Sequence, residues 1–344
     1  MNTLISVFLL SAAVVSASPA LKLDLSGPPS SVGIDGLMIT STLKNTGDEP
    51  IKLLNSPNSV LSSDKTEVFS ISSTSGSPAF TGIRVKYSPV LNAALNLKDA
   101  FTVLAPGQSV EKVHSLAGAY NFTQSGEGAY DVSAVDLFYY VDKSGALQTV
   151  QATSSSGQFQ VTGRLAAPNG AIPRLSRRAI SYIGCADEQK KMIEIAAGDA
   201  NGYVDKAKTY LNNNPSGGPQ YEEWFGVMND ARYETVVSHF TKIAEDPATS
   251  KTYDCSTCTM ANTYAYVYPD EPGTIYLCPA FWPAPATGVD SKAGTIVHEN
   301  SHFDWNGGTR DYAYGQPSCR VLATGTPDVA VQNADNHEYF VETM

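Results

Sequence analysis

Five residues near the end of the chain constrain it more than any others: His298-Glu299-Asn300-Ser301-His302. Side chains four apart lie on one face of a helix, so both imidazoles can reach one ion. Glu299 stands one residue along, placed to address a water on that ion rather than the ion itself. The preceding turn is largely apolar, with Ala293, Thr295, Ile296 and Val297. The helix is therefore partly buried, where an acid and two histidines without partners would be costly. The pattern predicts a helix from about Ser291 to Phe303, with Asp290 or Ser291 as its N-cap. Zn²⁺ accepts histidine nitrogen at about 2.0–2.1 Å and in a catalytic site takes three protein ligands and an open position. It lowers the pKa of a bound water to roughly 7, so that a carboxylate can take the proton. After His302 the sequence holds just one more histidine, His337. Asp304, Asp311, Asp328, Asp335 and Glu338 are the carboxylates available as a third ligand. Asp304 is on the same helix, turned from the histidine face. Asp311 follows Gly307-Gly308, where a helix can end and reverse.

The rest of the chain divides in two. Leu4 to Val15 is an apolar run too short to span a bilayer comfortably, and it ends in Val15-Ser16-Ala17. It reads as a signal peptide over residues 1–17, which implies export and no membrane anchor. From Ala20 to about Gly163, stretches such as Leu37 to Leu43 and Leu137 to Val141 alternate with turn clusters. Short strands with such turns suggest a β-sandwich. Ala166 to Pro173 reads as a linker, followed by the dibasic pair Arg177-Arg178, a candidate processing site. Helical periodicity then appears: Ile193, Ala197, Ala200, Val204 and Ala207 mark one helix over Ala186 to Leu211, and Trp224 to Ala244 holds another one or two. Thr263 to Tyr268 and Thr274 to Leu277 look like strands. The first of these is a candidate edge for holding an extended peptide by β-augmentation, and Phe281-Trp282-Pro283 is a candidate wall for the cleft.

Charge and cysteines follow the same division. Residues from Ala179 onward hold 22 Asp and Glu against 10 Lys and Arg, so the chain's net charge of −11 belongs to its second half. That argues against nucleic-acid binding, which needs a basic face. All five cysteines (185, 255, 258, 278 and 319) lie in the second half, where export makes disulfides the default. Because none precedes Cys185, no thiol of the first half can block a metal. A carboxylate of the first half, His114 or steric cover are the ways it could.

The stretch from His298 to His302, with Gly308-Thr309-Arg310-Asp311-Tyr312-Ala313-Tyr314-Gly315 behind it, resembles the signature of the deuterolysin-type aspzincin metallopeptidases. Asn333 to Phe340 and Tyr264 to Pro269 resemble the fungal peptidyl-Lys metalloendopeptidases among them. The resemblance covers Ser181 to Glu342. It implies an α+β fold: a zincin-like helical catalytic domain with a small sheet over residues 179–344, preceded by an all-β, sandwich-like propeptide over 18–178 with its linker at about 166–178. It implies one Zn²⁺ held by His298, His302 and Asp311, with Glu299 as general base and Tyr314 as donor to the developing oxyanion. Asp335 and Glu338 match the acidic pair that binds the lysine after the cut bond. Three residues apart they share a helix face, and two carboxylates suit an ammonium's donors. His337, between them in sequence, is expected to be structural. The implied bridges are Cys185–Cys255 and Cys258–Cys278, leaving Cys319 free. The family has one residue between the central cysteines, whereas this chain has two, Ser256 and Thr257. The implied protein is a secreted zymogen, inhibited by its own propeptide and monomeric when mature. It would hydrolyse lysine-containing proteins or peptides on the amino side of lysine, through a zinc-held water activated by Glu299. Two other readings are a broader deuterolysin-like protease and a non-catalytic secreted metal-binding protein.

Overall fold

The computed structural model describes residues 19–166, 179–271 and 273–344. The expected leader and the dibasic pair lie outside the described residues. No described helix is long and apolar enough to cross a membrane.

The first half is built mainly of strands, as their β-branched and aromatic content predicts. Three four-stranded sheets contain, among others, Leu21–Ser26 with Met38–Asn45, Gly128–Ala134 with Gly157–Thr162, and Leu137–Val141 with Leu147–Gln151. Inward residues alternate with outward ones: Leu21 and Leu23 are buried while Lys22 is exposed. Leu23, Ile39, Leu43, Tyr130, Phe138 and Phe159 form one apolar cluster. Two features depart from an all-β sandwich. The helix Pro89–Leu95 interrupts the strands, N-capped by Ser88 with proline at its first position. The strand Arg84–Tyr87 also leaves this half altogether.

The second half has its own core of helices on a five-stranded sheet. The predicted stripe Ile193, Ala197, Ala200, Val204 and Ala207 is buried on the helix Asp187–Asn213. Over the region where one or two helices are expected from Trp224 to Ala244 there are two, Pro219–Phe225 and Asp230–Glu245. The break is at Gly226, whose φ is 79° and where a Cβ would lie 2.2 Å from the Ala323 carbonyl oxygen. Only glycine permits both that conformation and that approach. The sheet runs Ser181–Ile183, Thr252–Asp254, Thr274–Leu277, Thr263–Val267, and last Arg84–Tyr87 from the first half. An edge that would otherwise be unpaired is thus closed by a segment far away in sequence.

Both implied disulfides are present, and Cys319 is free and buried. The extra residue between Cys255 and Cys258 is absorbed in a turn. There Asp254 Oδ1 accepts from the amides of Ser256 and Thr257 at 2.8 and 2.9 Å.

Candidate active site

The helix Lys292–His302 is buried along its whole length. Ser291 caps it, its hydroxyl accepting from the Gly294 amide at 2.9 Å. Glu342 supports that cap by accepting from the Ser291 amide and hydroxyl at 2.9 and 2.7 Å. The space between them admits no side chain: a Cβ on Gly294 would fall 1.9 Å from Glu342 Oε1. The Glu342 carboxyl is pushed up to about 9 by burial and by Glu338. Of the two expected caps, then, Ser291 takes the role and Asp290 is released for another.

At the other end of this helix the chain reverses through Gly307-Gly308, as predicted, and brings Asp311 to the histidines. Asp311 Oδ1 lies 3.2 Å from His298 Nε2 and 3.3 Å from His302 Nε2. None of these three buried atoms has a hydrogen-bond partner among the described residues. Such orphaned groups are rare and point to something else that satisfies them. Their ligand atoms lie within 4.8 Å of one another. Two imidazoles and a carboxylate are a donor set that suits Zn²⁺. The outer contacts orient the ligands. The Thr309 carbonyl lies 2.8 Å from His302 Nδ1, and Asp335 Oδ1 lies 2.9 Å from His298 Nδ1. The bond at His302 Nδ1 leaves its Nε2 free to ligate. Although burial opposes the charge, His302 and His298 hold the Asp311 carboxyl far below the ordinary range. Burial raises the Glu299 carboxyl well above its own range, and its Oε2 has no hydrogen-bond partner among the described residues.

Against this face lies the strand Arg84–Tyr87, antiparallel to Thr263–Val267, with Tyr266 opposite Val85 and Ala265 opposite Lys86. The strand expected as an edge for extended substrate is paired with a strand of the chain's own first half. The Val85–Lys86 amide is engaged on every side. Tyr314 donates its hydroxyl to the Val85 carbonyl oxygen at 2.9 Å. The Lys86 amide donates to Glu299 Oε1 at 2.9 Å, and the Val85 amide to Asp311 Oδ2 at 2.9 Å. Upstream, Arg84 donates to the carbonyls of Gly308 and Thr309 at 3.2 and 2.5 Å and pairs with Glu67 at 3.1 Å.

The Lys86 side chain is completely buried. Its ammonium lies 2.7 Å from Glu338 Oε2, 3.2 Å from Asp335 Oδ1 and 3.2 Å from Asp290 Oδ1. It stands 5.0 Å from the Tyr339 ring centroid, within cation–π range. Burial works against the charge on Lys86, but Asp335 and Glu338 outweigh it and hold the ammonium protonated. The pair implied by the resemblance thus meets in one pocket, and Asp290, one of the two expected caps, is a third wall. Asp290 adopts φ 52°. Its amide donates to Glu342 Oε2 and its carboxylate accepts from Tyr339, which hold it there. Lys86 itself was not singled out: it is one of eight lysines ahead of Ala179.

Three other residues have different places. His337 Nε2 lies 3.0 Å from His239 Nδ1, and its Nδ1 lies 2.9 Å from the Asn333 carbonyl, in keeping with a structural role. Phe281 lies in the apolar core and Trp282 packs against it, so ordinary packing accounts for both. His114 lies 3.0 Å from Ser41 and packs on Phe69 within the first half's strands. The first half meets the metal-ligand cluster through the Val85 amide and the side chains of Asn58 and Arg84, rather than through His114.

A buried HExxH helix, an aspartate carried back to it by a glycine turn, and an extended strand laid across the acid define a metallopeptidase site. Comparison with known proteins agrees. Residues 210–342 match the aspzincin model described as lysine-specific metallo-endopeptidase. A peptidyl-Lys metalloendopeptidase of Grifola frondosa is 45% identical over 96% of this chain and 95% of its own length. An extracellular protease of Aeromonas hydrophila is 35% identical over 90% of this chain and 88% of its own. A solved zinc peptidase from Grifola frondosa is 50% identical and covers 46% of this chain and 97% of its own, with a TM-score of 0.45. The chain belongs to the aspzincin family, and it is a zinc-dependent metalloendopeptidase.

Proposed function

We propose that this chain is the secreted zymogen of an endopeptidase that cuts on the amino side of lysine, and that its first half is a propeptide inhibiting the enzyme by occupying its cleft. One observation carries the reading: Lys86 fills a pocket of three carboxylates while the amide before it touches Glu299 and Tyr314. A lysine side chain reaching that pocket sets the peptide bond on its amino side against the acid. Two buried carboxylates and a third at the rim compensate one ammonium, whereas an apolar side chain there would leave them unpaired. The proposed organisation is a signal peptide over 1–17, a propeptide over 18–178 and a catalytic domain over 179–344, monomeric when mature and holding one zinc. Two disulfides and the extracellular protease among the relatives support export.

His298, His302 and Asp311 would hold the zinc, which supplies Lewis acidity to polarise the scissile carbonyl and to acidify water. The protein's own groups complete the chemistry. Tyr314 donates to the carbonyl oxygen and strengthens that bond as negative charge develops there. Glu299 accepts a proton from the attacking water and delivers it to the departing lysine nitrogen, which its Oε1 already faces. Asp335 has two duties, touching His298 Nδ1 and the substrate ammonium.

The test is digestion of a denatured protein by the matured enzyme, with products read by mass spectrometry. New N-termini should be lysine, and a chelator should abolish them. Cleavage distributed over residues of all kinds would refute the lysine reading.

A further inference from the structure

We infer that the Val85–Lys86 bond is itself a cleavage site, cut in cis by the enzyme that it covers. This rests on the reading above and goes beyond it, because an inhibitory strand need not be a substrate. Four observations distinguish this strand from a merely obstructing one. Its polarity is that of a paired, extended peptide, antiparallel to the edge strand Thr263–Val267. Its carbonyl oxygen at Val85 is the one that Tyr314 addresses. The nitrogen that would depart is the one that faces Glu299. The residue after the bond carries the ammonium for which the acidic pocket is built. All four would have to be met by a productive substrate, and a strand running the other way would put the wrong atoms at Tyr314 and Glu299. Reacting groups held in this way need little further ordering.

Space for water lies beside the strand. A cavity of about 240 Å³ lies between the two halves and borders Arg84, Asp311 and Tyr314. The step is a hydrolysis. Water's oxygen forms a bond to the Val85 carbonyl carbon and the carbon–nitrogen bond to Lys86 breaks. One proton of the water passes through Glu299 to the Lys86 nitrogen. The other leaves the new acid, so that Val85 ends as a carboxylate and Lys86 as a free α-amine, protonated near neutral pH. No other reactant is needed.

The consequence is mechanical. The first half grips the catalytic half in part through this strand, with Arg84 at the end of the metal-site helix and Lys86 in the pocket. Cutting between them turns one continuous strand into two loose ends. Each then binds without the other's effective concentration, and the cleft opens.

The experiment uses the full chain, purified without metal and then given Zn²⁺. Free α-amines are labelled over time and identified by mass spectrometry. The expected result is a new N-terminus at Lys86, formed at the same fractional rate after 100-fold dilution. It should form at least about 10²-fold more slowly in Glu299→Gln. Glu299→Gln keeps the strand and pocket residues, and serves where substitution of Lys86 prevents folding. A second readout needs no turnover. In the metal-free Glu299→Gln chain, the Lys86 ε-amine should resist acylation while exposed lysines react. Lys86→Gln should lose the cut at residue 85 while still cleaving an added lysyl peptide once the first half is removed. Cleavage of the added peptide with the Val85–Lys86 bond intact would overturn this inference and leave the proposed function standing. Failure to cut either would overturn both, and a concentration-dependent cut would overturn the cis assignment.

Discussion

Two buried acid clusters share His298 and differ in where their cation comes from. In the first, His298, His302 and Asp311 turn toward one another atoms that have no hydrogen-bond partner among the described residues, an arrangement that suits an ion from outside the chain. In the second, Asp335, Glu338 and Asp290 surround an ammonium that the chain itself supplies from 204 or more residues away. Similar side chains serve different cations because the spacing of their oxygens and nitrogens differs. Ligands converging from one helix and one turn leave room for a bare ion. Carboxylates spread over a pocket wall with an aromatic floor suit a larger, hydrogen-bonding head on a carbon stem. In the proposed function the first cluster sets the chemistry, and the second sets which bond receives it.

The sharpest way to break this division is to disable one cluster and watch the other. Glu299→Gln should lower turnover by about 10²–10⁴-fold while zinc affinity, read by competition with a chromophoric chelator, stays within a few-fold. Full activity in this variant would remove Glu299 from the reaction.

Next in size is the ammonium pocket. Lys86→Met in the full chain leaves buried carboxylates without their partner. Breaking a buried pair costs about 3–5 kcal/mol, so chemical denaturation should show a loss of that order. In the matured enzyme, Asp335→Asn combined with Glu338→Gln should reduce kcat/KM for lysyl peptides by about 10²-fold or more. Unchanged selectivity for lysine would show that the pocket is not the specificity site.

A smaller effect tests the histidines that serve neither cluster. Burial pushes His239 down to about 4 from its ordinary 6.5, with Lys242 adding to it. Burial and His239 push His337 to about 3. Both are therefore neutral in the fold, while the unfolded chain takes up protons below about pH 6.5. Stability from this pair is complete above that pH and lost as pH falls. The loss should be on the order of 3 kcal/mol by about pH 5. Melting curves across this range should flatten when both histidines are changed to asparagine. Equal acid sensitivity in the variant would place the effect elsewhere.

The smallest expected change is at Asp290, which is partly open to solvent. Asp290→Asn should raise KM for lysyl peptides by roughly 3–10-fold, in line with a screened pair worth about 1 kcal/mol. kcat should hold, because Asp290 touches neither Glu299 nor Tyr314 among its described contacts. A fall in kcat instead would show that the cap at Ser291 had moved with it.

Much of the two clusters was legible in the sequence because their geometry is local. The histidines are joined by one helical turn, the reversal at Gly307-Gly308 brings Asp311 back, and Asp335 and Glu338 keep the i, i+3 relation of the helix Ala334–Glu342. The assignment of Asp311 over the other carboxylates depended on family resemblance, since spacing alone left several open. Asp290 was missed because a polar residue just before a helix reads first as a cap. Its real place depends on Glu342 holding its amide. In the first half, alternation indicated strands but not their partners. Arg84–Tyr87 could equally have joined its neighbours in sequence.

By itself, then, the sequence determined the metal-site helix, the identity of its chemistry and the two-part composition, because periodicity and motif spacing act over a few residues. Only the tertiary structure decided that Lys86 lies in the acidic pocket and that the Val85–Lys86 amide faces Glu299 and Tyr314. That choice joins residues 213 apart. It follows from an open sheet edge, a pocket short of one cation and a strand with a lysine in register, and it becomes visible only when all three are in place.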